Sequence, residues 1–214
     1  MRLRKVKNAQ QKLLENTQYY VVNPSIYRGR WQTLFQEDGP LHIEIGCGKG
    51  QFIKQMASRY PDINFVAVEK YDSVLLRCLE KVEQEAYPNL KLVLLDAKSL
   101  TDVFAEKEVS RIYINFSDPW PKYAHRKRRL TYQTFLEAYR TILKDDGAVF
   151  QKTDNRKFFE FSLESFSENG WYLSHLSLDL HSDNDIENVM TEFEEKWSKS
   201  GPIYRLEARK KKEF

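Results

Sequence analysis

From residue 41 onward, apolar positions switch between two spacings. Leu41-His-Ile-Glu-Ile45 reads as a strand, and over 51–59 the apolar Phe52, Ile53, Met56 and Ala57 recur at helical intervals. The alternation continues with strands over 64–69, 90–95, 111–116 and 148–152, and helices over 71–85, 132–143 and 156–168. Asp146-Gly147 turns the chain into the fifth strand, and Asn169-Gly170 closes the last helix as a C-terminal cap. Two more strands fall near 171–178 and 203–209. Strands that alternate with helices need parallel crossovers, so the pattern predicts an α/β fold: a mostly parallel seven-stranded sheet with helices on both faces. Such sheets bind ligands outside the carboxyl ends of their strands, where strand order reverses.

Residues 1–38 stand apart from this rhythm. Arg2, Arg4, Lys5, Lys7, Lys12, Arg28 and Arg30 face a single acid, Glu15, ahead of Glu37, while Asn23-Pro24 and Arg28-Gly29 break any long helix. The segment reads either as a solvated tail with one short helix or as a basic arm for a polyanion. The expected organisation is a basic N-terminal extension over 1–38 and one domain over 39–214.

Composition narrows the class. The chain of 214 residues is 41% apolar, with 13 Phe, 12 Tyr and 4 Trp, enough for a sizeable core and against disorder. A net charge of +3 says little by itself, so the placement of charge carries the information. Cys47 and Cys78 form no CxxC and the four histidines no HxxxH, which argues against a disulfide framework and against a metal site. No apolar run reaches the roughly 18–20 residues that span a bilayer. The basic start is followed by Asn, Gln and Lys rather than by the apolar stretch of a signal peptide, so a soluble, reduced, cytoplasmic protein is expected.

The candidate chemistry lies at the strand ends. The first strand runs into Glu44-Ile-Gly46-Cys-Gly48-Lys-Gly50. These glycines let backbone turn tightly and approach a ligand closely. The spacing departs from the dinucleotide G-x-G-x-x-G, and Gly50 stands where a P-loop needs Ser or Thr. It fits S-adenosylmethionine, whose sulfonium favours a carboxylate such as Glu44. Glu69, about 20 residues on, suits a ribose acceptor, or caps the next helix. Asp96 suits the exocyclic amine of adenine, with Ala97 leaving room beside the ring, or serves as an N-cap. Each acid ends its own strand, and the combination points to a methyl-donor site.

The fourth strand ends in Asn115-Phe-Ser-Asp118-Pro-Trp120-Pro-Lys122. A carboxylate at Asp118 can accept from N1–H and N2–H of guanine together, and Trp120 offers a stacking wall or caps the core. Lys122 and His125 to Arg129 form the densest basic cluster, suited to a polyanionic substrate that threads a base inward or simply solvated. Asp154 ends the fifth strand, as a helix cap or a substrate contact. Residues 179–195 carry seven acids, among them Asp179, Asp183, Asp185 and Glu187, and no Lys or Arg. Thr191-Glu192-Phe193-Glu194 within them suits a grip on base or sugar.

Ile43-Glu-Ile-Gly-Cys-Gly-Lys-Gly50, Asn115-Phe-Ser-Asp-Pro-Trp-Pro-Lys122, His125 to Leu130 and Thr191-Glu-Phe-Glu194 make the chain resemble the bacterial tRNA (guanine-N7-)-methyltransferase family over nearly its whole length. The second stretch is the most specific. The resemblance implies a Rossmann-like S-adenosylmethionine-dependent methyltransferase fold, and transfer of a methyl group to N7 of a guanosine in the tRNA variable loop. It implies that Glu44, Glu69, Asp96 and Asp118 line the S-adenosylmethionine site, with the turn at Gly46, Gly48 and Gly50 and with Ala97. It makes Asp118 the catalytic acid. It also implies that Lys122, Asp154, Thr191, Glu192, Phe193 and Glu194 contact substrate, and that Ala124, His125, Arg126, Lys127, Arg128 and Arg129 touch RNA. Tyr123-Ala124 departs mildly from the family's more basic pattern. Partners are expected to be tRNA, with no metal and no membrane, for a monomer or homodimer. Three other readings carry weight. An exocyclic-amine methyltransferase would normally show a second proline and an aromatic residue after Pro119, where Trp120-Pro121 stands. A nicotinamide oxidoreductase lacks its glycine spacing. A catalytically dead, RNA-binding relative of the same fold need not bind the spent donor.

Overall fold

A computed structural model describes residues 5–183 and 187–211, so Arg2 and Arg4 of the basic segment and Asp185 of the acidic one lie outside the described residues. The strands are β1 (Leu41–Ile45), β2 (Asn64–Glu69), β3 (Leu90–Leu94), β4 (Val109–Asn115), β5 (Leu143–Thr153), β6 (Trp171–Ser177) and β7 (Tyr204–Lys210). They form one sheet in the order β3-β2-β1-β4-β5-β7-β6. The strands β1 to β5 pair in parallel, while β7 runs antiparallel between β5 and β6. The chain works outward from β1 to β3 and then returns to β4 on the other flank. Strand order therefore reverses between β1 and β4, and the crevice above these two ends is the expected ligand site.

Helices α1 (Ala9–Leu14), α2 (Gln51–Arg59) and α3 (Asp72–Val82) cover one face, while α4 (Leu100–Val103), α5 (Gln133–Ile142) and α6 (Arg156–Glu168) cover the other. α7 (Glu192–Trp197) is short. Most elements sit within a few residues of their sequence positions. The fifth strand begins earlier than expected, at Leu143. A register shift lets Leu143 pair with Val109 while Ala148 pairs with Arg111, so the Asp146-Gly147 turn lies inside the strand as a bulge. A Cβ on Gly147 would stand 3.0 Å from the Lys144 carbonyl and 3.1 Å from that of Ser110, so the bulge requires glycine.

The basic N-terminal segment is packed rather than solvated from residue 9 onward. Val21 N–H donates to the Leu92 carbonyl at 3.0 Å and Leu92 N–H to that of Tyr19 at 2.9 Å, which pairs the segment with the β3 edge. Trp31 is fully buried, donates Nε1–H to the Val103 carbonyl at 3.0 Å and stacks on Phe104 at 5.1 Å. Its cations Lys5, Lys7, Lys12, Arg28 and Arg30 stay at the surface.

The two halves of the sheet differ in what covers them. In β1 to β3 both faces are buried, as parallel strands between helix layers require. In β4, β5 and β7 the face toward α5 and α6 is mainly apolar, with Ile112, Ile114, Val149, Leu206 and Ala208. The opposite face carries Arg111, Tyr113, Lys152, Arg205, Glu207 and Arg209, and lines a cavity of about 300 Å³ next to α2. The sequence Arg205-Leu-Glu-Ala-Arg209 shows this alternation directly.

Candidate active site

The turn after β1 is built from left-handed backbone: Gly46, Gly48 and Gly50 have φ of 77°, 59° and 78°. A Cβ at Gly50 would overlap the Cys78 thiol, so this glycine is needed for packing. At Gly46 and Gly48 a Cβ would project into open space, which leaves the backbone bare toward the crevice. Glu44 lies beneath, with Oε1 accepting from Asn115 Nδ2 at 2.9 Å. Its Oε2 is buried and has no partner. Burial pushes the Glu44 carboxyl up to about 8, against the Asn115 hydrogen bond and the nearby Lys152 charge. A buried carboxylate oxygen without a donor, below an open glycine turn, suits a cationic ligand.

Glu69 ends β2 and binds the backbone ahead of α3 without capping it, since the cap position belongs to Tyr71 and takes no side-chain hydrogen bond. Its Oε1 accepts from the amides of Lys70 and Tyr71 at 2.8 and 3.0 Å, and its Oε2 from Gly48 N–H at 3.2 Å. Burial raises its carboxyl pKa despite those amides, and the charge of Asp118 across the crevice acts in the same direction. Asp96 caps the turn after β3 through Lys98 N–H at 3.1 Å and pairs with Lys70 Nζ at 2.6 Å. Burial opposes its ionisation, but Lys70 and the Lys98 amide outweigh it and hold the carboxyl below its ordinary range. Ala97 is buried beside it.

The loop after β4 is strained where it turns toward the crevice: Phe116 and Trp120 have φ of 50° and 42°. Asp118 between them is exposed. Trp120 is half-buried rather than a core residue, with Arg128 4.8 Å above its ring and His125 edge-on at 5.8 Å. Arg129 braces the loop, donating to the carbonyls of Pro119 at 3.0 Å and Trp120 at 3.1 Å and lying over Phe161 at 4.3 Å. Within the basic cluster, Lys122, Ala124, Lys127 and Arg128 are exposed, whereas Arg126 folds onto Tyr123 at 3.9 Å.

The cap of α6 is Asn155, which accepts from Phe158 N–H at 2.9 Å. Asp154 is therefore not the cap and stands exposed at the end of β5. The Thr191 to Glu194 segment forms the start of α7 as a capping box. Phe193 packs on Phe116 at 4.9 Å, and Glu192 pairs with Lys49 of the glycine turn at 3.3 Å, so the segment bridges the β1 and β4 loops. Glu194 is wholly buried and fully engaged. It takes Lys152 Nζ at 2.6 Å, Asn188 Nδ2 at 2.6 Å and His181 Nε2 at 3.2 Å. Lys152 donates also to Asn188 Oδ1 and to the Val189 carbonyl. Glu194 thus holds the segment in place, while Glu192 and Phe193 are exposed and Thr191 is half-buried as the helix cap.

Sequence reasoning gave no role to Asn115 and Lys152, the two side chains that support Glu44 and Glu194. A polar residue in a buried strand position was their only local signal. Among the described residues, no group of three or more His, Cys, Asp or Glu could hold a metal ion, and no helix is long and apolar enough to cross a membrane.

Four strand-end acids, an open glycine turn and a doubly wound sheet define a Rossmann-like S-adenosylmethionine-dependent methyltransferase. Solved structures share the fold at low identity. A 16S rRNA methyltransferase, KamB, superposes with a TM-score of 0.64 at 14% identity, covering 86% of this chain and 94% of that one. A 16S rRNA adenine methyltransferase from Catenulisporales acidiphilia, solved with its cosubstrate SAM, gives 0.58 at 12% identity over 90% and 93%. A family model described as a putative methyltransferase matches residues 38–206. The tRNA (guanine-N(7)-)-methyltransferase of Geobacillus sp. (strain WCH70) is 52% identical over 98% of this chain and 96% of its own length. That of Bacillus subtilis (strain 168) is 50% identical over 97% and 98%. The chain belongs to the tRNA (guanine-N(7)-)-methyltransferase family.

Proposed function

We propose that the protein transfers the methyl group of S-adenosylmethionine to N7 of a guanosine in the variable loop of tRNA, in the cytoplasm. The observation that carries this reading is the convergence of Glu44, Glu69, Asp96 and Asp118 at the strand-order reversal, beside an exposed basic turn. When bound, S-adenosylmethionine supplies an electrophilic methyl on a sulfonium centre. Glu44 offers its free oxygen to the positive charge of that ligand, Glu69 its carboxylate to ribose hydroxyls, and Asp96 its carboxylate to the adenine amine beside Ala97.

N7 of guanine has a free lone pair, so the chain needs no base to unmask it, in keeping with a crevice whose polar groups are carboxylates and amides. Asp118 accepts from the Watson–Crick edge of guanine and offsets the positive charge that grows on the ring. Most of the acceleration then comes from holding the two reactants in line. The guanosine must leave its stack to reach the crevice, at an unstacking cost of a few kcal/mol. Lys122, Asp154, Thr191, Glu192 and Phe193 face it, while Lys127 and Arg128 meet phosphate. Glu194 acts by holding that face in position.

The test is to incubate the protein with labelled donor and unmodified tRNA, then locate the product by nucleoside mass spectrometry and by chemical cleavage at 7-methylguanosine. Label in a variable-loop 7-methylguanosine is expected. Label on an exocyclic amine, or on no nucleotide at all, overturns the reading.

A further inference from the structure

The cavity on the polar face of the sheet lies outside the four-carboxylate crevice but joins it, since Asn115 and Lys152 line both. Its floor comes from three strands in register. Arg111 pairs with Ala148 and Ala148 with Arg209; Tyr113 pairs with Phe150 and Phe150 with Glu207; Lys152 pairs with Arg205. Side chains alternate along strands, so these residues share a face. α2 closes one side through Phe52 and Met56, with Tyr60 just beyond its end.

Two side chains stand out by their charge. Lys152 is bound to Glu194, Arg209 to Glu207 at 2.6 Å, and Arg59 to Glu187 at 3.1 Å. The carboxylates that line the cavity, Glu187 and Glu207, and Glu194 behind Lys152 are thereby matched to cations. Arg111 and Arg205 are left over, with no carboxylate within ion-pair distance among the described residues, although Arg205 also donates to the His175 carbonyl at 3.1 Å. Both guanidinium groups lie over the Phe150 ring, at 5.3 and 5.8 Å from its centre. Two surplus guanidiniums around one aromatic ring, at the rim of a cavity near 300 Å³, match the fork geometry that binds phosphate oxygens. A purely apolar partner would leave both charges desolvated and unpaired, which disfavours it.

We propose that this cleft is a second nucleotide subsite, in which Arg111 and Arg205 hold a phosphate of the substrate RNA strand next to the methylated nucleotide. The inference rests on the tRNA-methylating reading and names a contact outside the basic turn at Tyr123–Arg128, none of whose residues lines the cavity. This second grip on the strand fixes its register over Asp118.

The experiment compares the full-length protein with Arg111→Gln, Arg205→Gln and the double variant, measuring tRNA affinity across a salt series. The slope of log affinity against log salt is expected to fall by about one in the double variant, which leaves that phosphate without a cation, and by less in either single variant. Affinity for S-adenosylhomocysteine should stay unchanged, which also reports that the fold is intact. Arg111→Lys and Arg205→Lys keep the charge and should restore most of the slope, and they serve where the Gln variants fold poorly. An unchanged slope in the folded double variant overturns the proposal. So does Arg111- and Arg205-dependent binding of adenosine 5′-monophosphate with tRNA affinity unaltered, which would make the cleft a free-nucleotide site. A change in sedimentation with tRNA affinity unaltered would make it a contact between copies and also overturns it. If the unaltered protein methylates no tRNA, the broader reading fails instead, and the two failures are distinguished.

Discussion

The crevice has two sides that are held by different means. On the donor side, Glu69 and Asp96 are fixed by backbone amides a few residues away, at the ends of strands buried on both faces. On the acceptor side, Asp118 rides on a strained loop braced from a distance by Arg129, and the 191–194 segment hangs on the buried pair between Lys152 and Glu194. Glu69 and Asp96 are therefore oriented largely by backbone amides, whereas the acceptor side depends on side chains that bind its loops. A common donor needs one fixed receptor, and a selective grip on RNA can be varied through its loops without disturbing that receptor.

The contrast can be broken most sharply at Asp118. Asp118→Ala removes the acceptor that the proposed function sets against the base and is expected to lower turnover by more than about 100-fold. Binding of S-adenosylhomocysteine should remain measurable by calorimetry. Loss of that binding together with turnover would place Asp118 on the donor side as well.

Lys152→Met tests whether the acceptor side hangs on its buried pair. Leaving Glu194 buried without its cation is expected to cost about 3–5 kcal/mol in a denaturant titration, whereas Lys152→Met with Glu194→Leu should recover part of the loss. Equal destabilisation by the single and double changes would show that the pair contributes little coupling.

Charge reversal at the exposed Lys127 and Arg128 should lower the salt slope of tRNA binding by roughly 0.9 for each phosphate that is no longer neutralised. Arg129→Gln frees the Asp118 loop instead, so it should lower the rate at saturating tRNA more than it changes the slope. A large slope change from Arg129→Gln would make it a phosphate ligand rather than a brace.

A further test of the contrast concerns pH on the donor side. Burial raises the Glu44 carboxyl to about 8, so the folded protein holds a proton there that the unfolded chain has released. The Glu44 contribution to stability is therefore most favourable below the ordinary carboxylate pKa of 4.5 and is lost as pH rises toward 8. A cationic donor favours the ionised form. Its affinity should strengthen by up to about tenfold per pH unit on approaching 8 and then level off. Glu44→Gln should flatten that profile, and a profile unchanged by this substitution assigns the dependence elsewhere.

Much of this protein was set by its sequence alone. Strand and helix periodicity, the glycine turn and an acid at each early strand end follow from spacings within a few residues, because backbone conformation and strand alternation are local properties. The tight turn needs glycine wherever φ is positive, and the order of alternating strands and helices forces parallel crossovers. The alternation in Arg205-Leu-Glu-Ala-Arg209 even marks the half of the sheet that helices cover on one face only. Tertiary structure alone decided which charged residues are free. Glu194 and Arg129 lie in motifs that suggest contact with substrate, yet Lys152 and the carbonyls of Pro119 and Trp120 engage them. Asn155 takes the cap that Asp154 was a candidate for, and the basic N-terminal segment turns its aromatic side into the core. Burial and pairing depend on partners tens of residues away, and no local pattern encodes which partner a long side chain will reach.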